Sequence, residues 1–130
     1  VERVFYRGLK FVFPRHGVDR KMRLRDVVND SDIKPRLSRR EWDFAWKSHI
    51  DFLVSDNRGT PLIAFEPGAG TWRIGDKRQE HRDEMKTRIL CLAGIRVFWM
   101  TGLDANITFE RVVELIRGEI EPLAPLRIAA

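Results

Sequence analysis

Two apolar, strand-forming runs face each other across a cluster of turn formers, and this constrains the fold more than any other feature. His49-Ile50-Asp51-Phe52-Leu53-Val54-Ser55 precedes Asp56-Asn57-Arg58-Gly59-Thr60, and Pro61-Leu62-Ile63-Ala64-Phe65-Glu66 follows it. That pattern predicts a β-hairpin. With its tip at Asn57-Arg58 or Arg58-Gly59, Asp51 lies directly opposite Glu66 or one diagonal step away. Strand side chains alternate with period two, so either register puts both carboxylates on one face. Like charges at that separation repel unless something positive lies between them. A hard divalent cation such as magnesium takes carboxylate oxygens, so Asp51 and Glu66 are candidate metal ligands.

Around the hairpin, Val4, Phe5 and Leu9 recur at helical spacing and predict a helix from Val1 to about Phe13. The helical pattern already runs at Val1, which points to a segment of a longer chain. Val18, Met22 and Leu24 alternate with charged residues and predict a strand with those three on one side. Asp26 to Arg40 is polar, holds Pro35, and reads as loop with at most a helical turn. Trp42, Phe44 and Trp46 come next, as packing under the sheet edge or as an exposed aromatic ledge. Pro67 to Asp76 carries three glycines and reads as a mobile loop. Lys77 to Ala93 is a helix stopped by Gly94. Ile95 to Met100 is an apolar strand expected at the sheet centre, and about Thr108 to Arg117 is a helix with Phe109, Val112, Val113 and Ile116 inward. The predicted fold is an α/β sandwich on a small mixed sheet, with a hairpin and a right-handed parallel crossover. It forms one domain over residues 1–122 with a loose tail at 123–130.

The 130 residues carry a net charge of +5, with basic clusters at Arg20-Lys21-Arg23-Arg25, Lys34-Arg36-Arg39-Arg40 and Lys77-Arg78-Arg82. A basic balance favours a polyanion, and nucleic acid is the commonest. No apolar run reaches the length of a membrane span, and no secretory signal is visible. The single cysteine, Cys91 between Leu90 and Leu92, cannot staple a fold. It reads as a small buried hydrophobe in a cytoplasmic protein. Walker, dinucleotide, nucleophile-elbow and zinc-type patterns are absent.

Cations for the carboxylate pair are expected from the helix after the loop. At about 100° per residue, Arg82, Lys86, Ile89 and Ala93 fall on one stripe, with Met85 beside it. A sheet-facing stripe does not hold Arg and Lys without partners. They either pair with Glu66 or stabilise a phosphate undergoing transfer. Asp83 is expected to point elsewhere, as an early-helix charge. His49 shares the strand face of Asp51.

These stretches together resemble the PD-(D/E)XK nuclease superfamily, in the bacterial branch related to very-short-patch-repair endonucleases. The resemblance runs from Val1 to about Met100. It rests on a leading helix with an early Glu, on "HIDFLV", "PLIAFE", "KRQEHRDEMK" and "AGIRVFW". It implies a restriction-endonuclease-like core and a magnesium- or manganese-dependent nuclease acting on DNA. Asp51 and Glu66 would be its metal ligands, and Glu2 the supporting helix-one Glu. Position 68 holds Gly where the pattern has Lys, Pro67 stands where an apolar residue is usual, and the branch's acidic residue and His are missing. In some members the catalytic cation comes from the following helix, which makes Lys86 or Arg82 the substitute. The alternative is a catalytically inactive nuclease-fold module that binds nucleic acid or a protein. A third reading is an interaction domain of a larger mobile-element or restriction system.

Overall fold

The computed structural model describes residues 1–28, 31–67 and 76–126. The order is α1 (Glu2–Val12), β1 (Gly17–Arg23), α2 (Leu24–Val28), α3 (Arg39–Lys47), β2 (His49–Ser55), β3 (Pro61–Glu66), α4 (Lys77–Leu92), β4 (Arg96–Trp99) and α5 (Phe109–Ile120). Four strands form one sheet in the order β1-β2-β3-β4. The first two pairings are antiparallel, and β3 and β4 pair in parallel across α4. The fold is thus α/β on a small mixed sheet flanked by helices. None of the described helices is long and apolar enough to cross a membrane.

The predicted hairpin forms, with a three-residue tip, Asn57 to Gly59, in place of the expected two-residue one. The backbone of Asp56 pairs with Thr60, the Gly59 N–H donates to the Asp56 carbonyl, and Gly59 has φ +85°. That is a type I turn followed by a left-handed residue, which glycine adopts without strain.

Apolar side chains cover both sheet faces. On one side α1 and α5 bring Phe5, Leu9 and Ile116 onto Phe52, Ile63 and Phe65. On the other, α2, α3 and α4 bring Leu24, Ala45 and Ile89 onto Ile50, Leu53 and Ala64. Gly8 lets α1 lie close on α5. A Cβ built there would stand 2.7 Å from Val112 Cγ1 and 3.3 Å from Ile116 Cδ1, both on fully buried residues. Alanine is the better helix former by roughly 1 kcal/mol, but overpacking a tight core costs about 1–3 kcal/mol. Gly8→Ala is therefore expected to lower the thermal midpoint by several degrees, read by circular dichroism; a raised midpoint would mean that α5 yields easily.

Several expectations need correction. The stretch Asp26 to Arg40, read as loop, contains most of α2, a 3-10 turn (Lys34–Arg36) and the start of α3. The signal for α3 is local. Ser38 caps it in a reciprocal capping box with Glu41, the Ser-x-x-Glu pattern that opens helices. The Ser38 backbone N–H, then its hydroxyl and Arg88, hold the Glu41 carboxyl below its usual range. Trp42 and Phe44 pack against the second cluster, while Trp46 stays 52% exposed.

β4 is an edge strand and not central. Helices cover both faces of that edge: Val97 packs on one cluster and Phe98 on the other. The apolar run reflects covered faces, not a central position. In β1, Val18 and Met22 fall on opposite sides, and Leu24 opens α2. The alternation breaks at Lys21, which has φ +54°. Cys91 is exposed, because α4 buries Ile89 and Leu90 instead. Phe109 is half-buried, edge-on to Phe11 at 5.5 Å, while Val112, Val113 and Ile116 are buried as expected. Beyond α5 a 3-10 turn (Glu121–Leu126) leaves Leu123 9% exposed. Gly68 and the rest of the glycine-rich loop through Gly75, and the end of the tail at 127–130, lie outside the described residues.

Candidate active site

The site lies where β2 outruns β3. The ladder between β2 and β1 continues to the pair Arg23 and His49, whereas the pairs between β2 and β3 stop at Phe52 and Phe65. One step further, that register sets Asp51 opposite Glu66. Here side chains replace the missing strand backbone. The Asp51 N–H donates to Glu66 Oε2 at 2.7 Å, and Lys86 Nζ donates to the His49 carbonyl at 2.7 Å. Backbone polar groups in a protein interior need partners, so these bonds give the splayed strand end a structural reason to hold both charged residues.

Lys86 also donates to Glu66 Oε1 at 2.6 Å. Their side chains are 14% and 4% exposed, so this ion pair is largely shielded from water. The helix stripe read from sequence thus delivers its lysine to the predicted carboxylate. Trp99 borders the lysine, with its ring centroid 5.8 Å from Nζ. Its indole N–H donates to Thr87 Oγ1, which donates to the Asp83 carbonyl. Burial pushes the Glu66 carboxyl above its usual range; Lys86 pulls it back down and Asp51 pushes it further up.

A cleft of about 450 Å³ opens beside this pair. Asp51, Glu66, Lys86, Arg82, His49 and Asp83 line it. Arg82 is exposed at its lip, one helical turn before Lys86. Asp83, expected to point elsewhere, faces the cleft, where its carboxylate accepts from the Gln79 amide at 2.8 Å. Its spacing from Gln79 at i+4 and Lys86 at i−3 was the available signal.

Glu2 does not line the cleft. It bonds Lys21 at 2.9 Å, and Lys21 Nζ stands 3.8 Å from Asp51 Oδ1. Glu2, with Asp51 as a further contributor, raises the Lys21 pKa against the opposing effect of burial. Sequence reasoning placed Lys21 in a surface cluster. Its positive φ, costly for a residue with a Cβ, carries no sequence signal.

Among the described residues no group of three or more His, Cys, Asp or Glu side chains is arranged to hold a metal ion. Magnesium is commonly held by one or two carboxylates, with water completing its shell, and Asp51 with Glu66 offers that donor set. Burial disfavours the charged form of Glu66 more than Lys86 favours it, so a bound cation would add support to the anion. In chemical kind the residues fit a magnesium or manganese ion that shares Glu66 with Lys86.

Comparison of the chain with protein-family models, curated proteins and solved structures finds no match. The functional reading therefore rests on the cleft.

Proposed function

We propose that this domain is a metal-dependent endonuclease-like module that acts on DNA phosphodiesters, with a restriction-endonuclease-like core of the PD-(D/E)XK kind. One juxtaposition carries the reading: Glu66 holds both a lysine from the following helix and the backbone N–H of Asp51 on the adjacent strand, and all three residues line one open cleft. The hairpin, the crossover helix and the parallel fourth strand support it.

Asp51 and Glu66 would hold magnesium or manganese, which supplies a more acidic water and neutralises charge on the phosphate. The chain's own residues do the rest. The Asp51 N–H and Lys86 fix both oxygens of Glu66, so the carboxylate enters the reaction already oriented. A lysine ammonium has three donors. Lys86 spends two on His49 and Glu66, and the third can reach a phosphoryl oxygen. The Arg82 guanidinium, at the lip, is shaped to grip phosphate through two N–H groups. Lys86 thereby takes the place of the lysine that Gly68 does not provide.

One observation favours the second reading, an inactive nuclease-fold module that binds DNA or a protein. Both Glu66 oxygens already have donors within the chain. Incubating the protein with plasmid and short duplex DNA separates the two. Cleavage that needs magnesium or manganese and stops on chelation is the expected result. DNA binding without cleavage under any divalent ion would establish the inactive module instead.

A further inference from the structure

Beside the cleft lies a patch of stacked cations and tryptophans that the carboxylate site does not use. Lys34 Nζ sits 4.8 Å from the Trp42 ring, Trp42 meets Trp46 edge-on at 6.3 Å, and the Arg25 guanidinium lies 4.1 Å over Trp46. This row joins three elements: the 3-10 turn, α3 and α2. Trp46 remains 52% exposed within it. The next residue, Lys47, and Phe44 two positions earlier both line the cleft, so patch and cleft share helix α3.

The stretch of sequence that carries the patch is basic, although its Arg20 stacks on Tyr6 and its Lys21 pairs with Glu2, away from the tryptophans. Residues 20–47 hold nine Lys and Arg against five Asp and Glu, a net +4 of the chain's +5. Asp26 neutralises part of it, at 3.0 Å from Arg23 and 3.9 Å from Arg25. Exposed Lys34 and partly exposed Arg25, interleaved with aromatic faces, match single-stranded nucleic acid, whose phosphates take the cations and whose unpaired bases stack on the rings. In a continuous duplex the base faces are already stacked on one another and cannot cover Trp46.

We infer that the Trp46–Arg25 patch is a docking surface for single-stranded DNA, with Trp46 stacking an unpaired base next to the cleft. This rests on the reading that the cleft handles DNA phosphodiesters. Its substrate would then be a flap, an overhang or another junction between duplex and single strand.

The test is fluorescence anisotropy with labelled oligo(dT), oligo(U) and duplex DNA of equal length, in chelator, on the whole chain. Trp46→Ala is expected to weaken oligo(dT) binding roughly ten-fold, the loss typical of one stacked base. Trp46→Phe, which keeps a ring, is expected to stay near wild type, and duplex binding is expected to change little with either. Oligo(dT) binding by Trp46→Ala equal to wild type would overturn the stacking role while duplex binding leaves the cleft's reading standing. Tighter binding of oligo(U) than oligo(dT) would overturn the assignment to DNA. Wild-type protein that binds none of the three would remove both readings together.

Discussion

Lys86→Met is expected to destabilise the protein by about 3 kcal/mol near pH 8, at the low end for one broken partner of a buried ion pair. The loss has two sources. Glu66, 4% exposed, keeps its charge without a counterion, and the His49 carbonyl loses its donor. The low end applies because Lys86 itself is 14% exposed and a carboxyl can take up a proton. That escape gives the prediction its pH signature. Burial already raises the Glu66 carboxyl above its unfolded value, and Lys86 opposes the rise. Without Lys86 it rises further. A carboxyl raised in the folded state binds more protons folded than unfolded, so stability grows as pH falls and is lost as pH climbs through the raised value. The variant is therefore expected to recover much of its deficit near pH 5, and its stability to fall more steeply than wild type from the ordinary carboxylate range upward. Urea unfolding at several pH values, in chelator, measures this. A deficit independent of pH would mean that Glu66 does not need Lys86. Adding Glu66→Gln to Lys86→Met removes the unpaired charge and is expected to restore part of the lost stability.

Asp51→Asn is expected to abolish divalent-ion-dependent DNA cleavage, by at least about 100-fold, while leaving the thermal midpoint close to wild type. A metal at a phosphoryl centre supplies several kcal/mol of charge stabilisation, and about 3 kcal/mol corresponds to that factor. Stability should hold because the tie from Asp51 to Glu66 runs through the backbone N–H, which asparagine keeps. Its side chain is 27% exposed and lies 3.8 Å from Lys21, a distance at which little stabilisation is at stake. Cleavage rates beside melting curves separate the two effects. Cleavage within a few-fold of wild type would remove Asp51 from the chemistry. A collapsed melting curve would show a structural role instead.

The local features were legible in the sequence. The turn formers between two apolar runs locate the hairpin; Asp51 and Glu66 come together through the Asp51 N–H and the Glu66 side chain, at a point where Ile50 and Phe52 pack on opposite faces. The helix period delivered Lys86 to Glu66 through a single stripe. Features that depend on what covers an element were not legible. Ile95 to Met100 looked central because apolar helices flank both faces of a sheet edge. The flip of β1 at Lys21 comes from a backbone conformation that a lysine side chain does nothing to announce. The capping box at Ser38 and Glu41 is legible in the sequence, although the polar stretch before it has the composition of a loop. Asp83 was missed because a helical wheel gives direction without the shape of the cleft that α4 borders.

The central claim is that Asp51 and Glu66 share a divalent cation beside Lys86. A crystal soaked in manganese tests it most directly, through the anomalous signal of the ion. The expected result is a peak within about 2–2.5 Å of a carboxylate oxygen of both residues, with Lys86 still within reach of Glu66. A peak elsewhere, or no peak between two carboxylates that keep only their present partners, would contradict it.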